Sequence, residues 1–311
     1  MHINLAALAA HDARAFDKTS DAVDEVNVLK LQAADDKPKT FANSDDTQFR
    51  QYETACDRVK NFYLEQHTKQ TVAFNVEIRE RFERTRGARA KMSVWEALDL
   101  LGTLVDESDP DTELTQIEHA LQTAEAMRRD GRPEWMQAVG LVHDLGKLLY
   151  FFTQLCDPGA QWAVVGDTFP VGCAYSDKIV LKKNTFHANP DKEDERYQSE
   201  CGIYEKGCGL DNVMMSWGHD EYLYRVVKGH CNIPEEGLAM IRYHSFYPTQ
   251  VASRRCLHAS HAAFRRKLLA AVRSFNPYDL YSKGDGAPKI EELRPYYEQL
   301  VARWFPEDLE W

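Results

Sequence analysis

From Phe49 onward the apolar residues recur at helical spacing: Tyr52, Cys56, Val59 and Phe62 or Tyr63 in one run, then Phe74, Ile78 and Phe82 at i, i+4 intervals. Both runs predict amphipathic helices. Ser93 and Glu96 form a capping box ahead of Trp95, Leu98, Leu101 and Val105, which predicts a helix starting there and ending in the acidic stretch DESDPD, residues 106–111. A further helix carries Leu114, Ile117, Leu121 and Ala124 as its apolar stripe, with His119 off that stripe beside Gln122 and Thr123. The run VGLVHDLGKLLYFF, residues 139–152, departs from amphipathicity. It is apolar nearly all round, as a buried helix is, yet it contains His143, Asp144 and Lys147.

Later segments read more irregularly. CDPGAQWAVVGDTFPVGC, residues 156–173, is rich in Gly and Pro and predicts a long structured loop of short β-prone pieces, in which Gly166 and Asp167 have the composition of an ordinary turn. KKNTFHANPDKEDERYQSE is polar, and its His187 is assigned no function. A second His-Asp pair, His219 and Asp220, lies in MMSWGHDEYLY, and MIRYHSFYP places His244 at the end of an apolar helical turn that Pro248 stops. The tract ASRRCLHASHAAFRRK, with His258 and His261, reads as a solvated basic face. FNPYDLYSK then sets Asp279 and Lys283 at i, i+4, the spacing of a helical salt bridge. Residues 1–47 mix acids, Ala, Ser and Asn with little periodicity, a composition expected to leave a mostly disordered tail ahead of one domain over 48–311.

Composition narrows the class. With 311 residues, 43% of them hydrophobic, the chain is large enough for a substantial core. A formal net charge of −11 argues against nucleic acid or an anionic membrane surface as the main partner. No run reaches the roughly 20 apolar residues of a membrane helix, and LAALAA near the start is too short for a signal peptide. A cytoplasmic protein is expected. The 7 cysteines form no C-x-x-C pair, which suits free thiols better than a disulfide framework or a zinc finger.

Chemistry enters with the buried trio. An isolated charge in an apolar run costs several kcal/mol or more unless it is paired or coordinates a metal. His143 and Asp144 lie about 100° apart around a helix, so a cation is one ligand that draws both to a point, and Lys147, one turn on, shares the histidine's face. The acidic 106–111 stretch by itself reads as a solvated helix end with Pro110 as breaker, and His119, His219, His244 and Asp279 are individually weak signals. Together they give four His and two Asp with no thiolate, a donor set suited to iron, manganese or another first-row ion. Asp144 is the natural bridge between two ions, because each of its oxygens can take one.

The order H…HD…D of His119, His143-Asp144 and Asp279 resembles the HD-domain superfamily, whose mostly α helical bundle brings such residues onto one or two metals. The resemblance then sharpens. FRQY, LVDESDPD, GLVHDLGK, QWAVVGDTFPVGC, MSWGHDEYLY, RYHSFYP, FNPYDLYSK and LRPYYEQL, spread from Phe49 to Trp311, closely resemble the myo-inositol oxygenase family. That resemblance implies a single HD-type helical domain holding two iron ions and no organic cofactor, which uses O2 to cleave myo-inositol to D-glucuronate. It implies one iron on His119, His143, Asp144 and Asp279, and the other on Asp144, His219 and His244. It further implies substrate contacts from Arg50, Asp106, Ser108, Asp109, Lys147, Gly166, Asp167, Ser245 and Lys283, with Lys147 and Asp144 as the catalytic groups. A monomer is expected. The alternative is an HD-type metal-dependent phosphohydrolase, whose mark would be a more basic pocket than DESDPD and VVGD offer.

Overall fold

Helix starts are set locally. The structure, a computed structural model, describes residues 56–85, 90–108, 115–246, 262–281 and 288–311. Helix α1 (Asp57–Lys69) is followed by α2 (Val72–Arg84), whose N-cap Thr71 accepts from Phe74 N at 3.1 Å. Helix α3 (Val94–Leu101) begins at the Ser93/Glu96 capping box expected from the sequence. A second capping box, Thr115/Glu118, opens α4 (Gln116–Arg129). Each reciprocal pair satisfies two of the orphan N–H groups at a helix start.

Helix α5 (Glu134–Val142) is where the observed chain differs from a continuous helix through the apolar run. The α geometry stops at Val142, and after Asp144 the backbone tightens into a 3-10 helix over Leu145–Phe151. The tighter turn is fixed by Lys147 N donating to Asp144 O at 2.9 Å. Lys147 consequently faces Asp144, three residues back, rather than sharing the face of His143. Close packing explains the change: a Cβ on Gly146 would come within 2.0 Å of the His219 carbonyl oxygen, so the segment presses directly on the start of α6 (His219–Val227).

Helix α7 (Glu235–Tyr243), α8 (Ala262–Tyr281) and α9 (Ile290–Trp304) complete the bundle, α8 with Pro277 inside it. Helices α4 and α5 pair closely, and α6, α7 and α8 pack in sequence against them and the 3-10 segment. One core unites Leu98, Leu121, Val142, Leu149, Tyr222 and Phe275, all almost fully buried. Sheet is confined, among the described residues, to β1 (Lys91–Met92) and β2 (Leu309–Glu310), antiparallel, with Trp311 Nε1 donating to Met92 O at 3.0 Å. The long connection 152–218 is irregular as expected, but short helical turns stand where β-prone pieces were expected, and extended pairing there is the single bridge of Pro170 to Met215 among the described residues. No described helix is long and apolar enough to cross a membrane. Residues 1–47 and the basic tract up to His261 lie outside the described residues.

Candidate metal centre

Five elements carry the expected ligands to one buried point. His119 comes from α4, His143 and Asp144 from the junction of α5 with the 3-10 helix, His219 from the first residue of α6, His244 from the residue after α7, and Asp279 from α8. The Asp144 carboxylate lies between two groups of imidazoles. Its Oδ2 is 3.7 Å from His119 Nε2 and 3.5 Å from His143 Nε2, while its Oδ1 is 3.4 Å from His219 Nε2 and 3.6 Å from His244 Nε2. Asp279 Oδ1 closes the first group, 3.1 Å from His119 Nε2 and 3.4 Å from His143 Nε2. Two ligand sets result, His119–His143–Asp144 and Asp144–His219–His244, and they share Asp144.

These residues fit metal binding on their own chemistry. His143, His219 and His244 each direct Nδ1 at a backbone carbonyl, of Gly140 at 2.8 Å, Val164 at 2.9 Å and Ile241 at 3.0 Å. Such a bond fixes the tautomer with its N–H at Nδ1 and leaves Nε2 as a lone pair, the arrangement of ligating imidazoles. His143 Nε2 is fully buried without a hydrogen bond, an orphan that a cation would satisfy. The donors are imidazole nitrogen and carboxylate oxygen throughout, as borderline first-row ions prefer.

Electrostatics favour the ligand forms of the acids. Burial by itself disfavours the Asp144 carboxylate, but the charges of Lys147 and His143 hold it well below the usual carboxylate range. Desolvation disfavours the Asp279 carboxylate as well, but its hydrogen bond with His119 at 3.1 Å and the nearby charge of His143 keep it well below that range, with the side chain 16% exposed. Burial opposes charge on His143 too, yet Asp144 and Asp279 push it up to about 9. Burial wins at His119, which is lowered despite Asp279. A metal replacing the protons that the raised histidine attracts would serve the same carboxylates.

The described part of the acidic stretch, residues 106–108, is not a solvated helix end. Asp106 and Ser108 are buried, and Asp106 Oδ1 accepts from Ser108 N at 2.8 Å and Oγ at 2.6 Å. Its other oxygen is 2.8 Å from Lys147 Nζ, whose ammonium also reaches Asp144 Oδ2 at 2.9 Å and Gln116 Oε1 at 3.0 Å. Those neighbours, Asp106 foremost, outweigh burial and raise the Lys147 pKa above its ordinary value. Ser245 lies on the opposite side, its Oγ 3.2 Å from His219 Nε2. Gly166 and Asp167 join the centre through their flanks, since Val164 O accepts from His219 N at 2.7 Å and Thr168 N donates to Ser245 O at 3.1 Å. Arg50, Asp109 and Lys283 fall outside the described residues.

Two members of the site were given no role from the sequence. Asp220 Oδ1 is 2.9 Å from His219 Nε2 and accepts from Ser245 Oγ at 3.0 Å, while its Oδ2 accepts from Ser245 N at 3.1 Å. Its adjacency to His219 was the available signal. Gln116, which helps to hold Lys147, had none beyond its place three residues before His119.

The geometry matches what relatives of the chain are called. A family profile described as myo-inositol oxygenase matches residues 56–311. The chain belongs to the myo-inositol oxygenase family. It is 44% identical over 268 residues to the inositol oxygenase of Dictyostelium discoideum, covering 85% of this chain and 90% of that protein. It is 45% identical over 301 residues to inositol oxygenase 1 of Arabidopsis thaliana, 93% of this chain and 91% of the relative, and 45% identical over 276 residues to the Homo sapiens inositol oxygenase, 86% and 92%. In this chain the candidate ligands are largely buried, His143 at 0% and His219 at 3% exposure.

Proposed function

We propose that the chain is an inositol oxygenase that uses O2 to cleave the ring of myo-inositol to D-glucuronate at a di-iron centre. The observation that carries this reading is the Asp144 carboxylate placed between two imidazole pairs, in a chain of the inositol oxygenase family. One iron is assigned to His119, His143, Asp144 and Asp279, the other to Asp144, His219 and His244. Bound there, the ions supply the O2 chemistry and the Lewis acidity that lowers the pKa of a substrate hydroxyl.

The chain's own residues bind and orient. A cyclic hexol presents hydroxyls that both donate and accept, so selecting one orientation needs acceptors and donors on several sides. Asp106, Ser108, Lys147, Gly166, Asp167 and Ser245 are the substrate contacts assigned here, with Arg50, Asp109 and Lys283 added from the resemblance. Lys147 is the compensating cation: all three of its N–H groups have acceptors in Asp106, Asp144 and Gln116, so a substrate oxygen takes the place of one of them. Asp220 orients Ser245 through two hydrogen bonds. Burial of the cluster excludes water, which strengthens each polar contact and protects the reaction from side chemistry.

Acidic residues beside the centre, Asp106 among them, disfavour the phosphohydrolase alternative, since they repel a phosphate ester. The protein is further assigned to the cytoplasm as a monomer without nucleic-acid or membrane partners. The test is to load purified protein with iron and follow O2 uptake and glucuronate together. Stoichiometric consumption of O2 with product supports the assignment; hydrolysis of phosphate esters without inositol turnover would replace it with the alternative.

A further inference from the structure

The turn Val165–Asp167 is clamped from behind by the last two turns of α1. Gln66 Nε2 donates to Val165 O at 2.9 Å and to Asp167 O at 3.4 Å. Gly166 has φ +89°, and a Cβ there would meet Gln66 Nε2 and Phe62 Cε1 at 2.8 Å each, so the clamp demands glycine. Beside Gln66 lies His67, at 0% exposure, facing Asp167 at 1%. His67 Nε2 and Asp167 Oδ1 are 3.7 Å apart, and both are buried atoms without a hydrogen-bond partner. The other carboxylate oxygen takes a long 3.4 Å bond from Val180 N.

The two sides of the ring together decide the tautomer. His67 Nδ1 is 2.7 Å from Thr185 Oγ1. The Thr185 hydroxyl can donate to this nitrogen or to Leu181 O at 2.9 Å, a carbonyl with room for it beside Asn184 N, so the carboxylate facing Nε2 selects between the two. With Thr185 donating to Nδ1, the ring's N–H is on Nε2 and points at the carboxylate. The opposite tautomer sets a lone pair against Asp167 in a dry interior, where an unpaired charge is costly. Burial lowers the His67 pKa against the pull of Asp167, which fits a neutral ring with one N–H. The ring plane is locked by stacking on Phe186, centroids 4.1 Å apart and planes at 12°, with Phe169 edge-on at 5.2 Å.

We propose that His67 is a positioning residue of the substrate pocket, held by Thr185 and directing its Nε2–H at Asp167 so that this carboxylate meets the polyol in a single orientation. The inference rests on Asp167 being a substrate contact. His67 touches neither metal ligand nor substrate and acts through Asp167 alone.

Three variants of the full iron-loaded chain test it, with KM, kcat, iron content and Tm as readouts. His67→Gln places an amide N–H about where Nε2 was, His67→Asn reaches only the Nδ1 side, and His67→Phe keeps the stacking without any donor. The expected result is KM for myo-inositol raised about ten-fold in the Phe and Asn variants, the low end of what a buried acceptor costs when no donor faces it, with iron content unchanged and kcat altered far less. His67→Gln should return KM to within about three-fold of the parent, a difference under 1 kcal/mol. If His67→Phe does not fold, Gln against Asn decides. Equal KM in those two, or losses that follow Tm or iron content, overturns the proposal. Asp167→Ala separates the two layers: a raised KM there with none in His67→Phe refutes only His67's role, whereas an unchanged KM removes Asp167 from the pocket and the proposal with it.

Discussion

At Lys147 the balance between holding the fold and serving the reaction is decided by neighbours. Its ammonium lies among Asp106, Asp144 and Gln116, all buried. In metal-free protein it is the compensating charge for two carboxylates, so Lys147→Ala should lower Tm there, because breaking a buried pair by removing one partner costs about 3–5 kcal/mol. With iron bound, the ions assume much of that compensation. The iron-loaded variant is therefore expected to keep its metal yet lose turnover. One charge-assisted hydrogen bond at a buried site is worth about 1.5–3 kcal/mol, which at about 1.4 kcal/mol per decade is a loss of roughly ten- to a hundred-fold. Iron analysis beside steady-state rates checks this, and loss of iron would make Lys147 structural. Single residues were legible in the sequence when their chemistry clashed with their surroundings: a His, an Asp and a Lys inside VGLVHDLGKLLYFF demanded partners. Asp220, Gln116 and His67 carry no such contradiction. Each lies in a mixed segment, where the polar pattern does not connect Gln116 or Asp220 with the centre or His67 with Asp167.

Between elements, the tightest constraint is the contact of the 3-10 segment with α6. Gly146→Ala puts a methyl group where the His219 carbonyl stands, 2.0 Å away, so the two segments must separate. Overpacking of this kind costs about 1–3 kcal/mol. Because His219 is the residue displaced, iron should fall more at the His219–His244 side than at the His119–His143 side, measurable as a shift toward mononuclear EPR signals. A second tie behind α6 is Glu221, buried and accepting from Arg242 Nε at 2.7 Å and Arg225 Nε at 2.8 Å, with Arg79 Nε at 3.9 Å. Burial raises its pKa, but the arginines, Arg242 first, outweigh that and lower it. A folded-state pKa below the unfolded one gives stability that is present above the unfolded value of about 4.3 and lost as pH falls through the folded value. Glu221→Gln should therefore destabilise the protein at neutral pH and flatten the acid limb of a Tm-against-pH curve; an unchanged limb would show that other carboxylates govern it. The helix starts at Ser93 was readable because capping chemistry is local. The break at His143 was not, since a segment buried on all sides has no polar face whose period would distinguish 3.6 from 3.0 residues per turn.

Over the whole molecule, the proposed ligands run from His119 to Asp279, so metal bound among them would tie distant stretches of chain together and stabilise the fold by mass action. Chelation should accordingly lower Tm, by an amount that depends on free metal concentration. The two aspartates divide that linkage unequally. Asp144 faces both imidazole pairs, one with each oxygen, whereas Asp279 faces only His119 and His143. Asp144→Asn offers an amide that cannot serve two cations as a carboxylate does, so both ions should weaken and the coupled di-iron EPR signal should vanish, leaving near-zero iron. Asp279→Asn removes a ligand from one side and leaves Asp144, His219 and His244 intact. It should retain about one iron per chain and roughly half of the chelator-sensitive rise in Tm, because ligand changes act on the ion they contact. Iron content and Tm, with and without chelator, read both effects in the same samples. Equal iron in the two variants, or a coupled signal surviving in Asp144→Asn, would refute the bridge and return the centre to two independent sites.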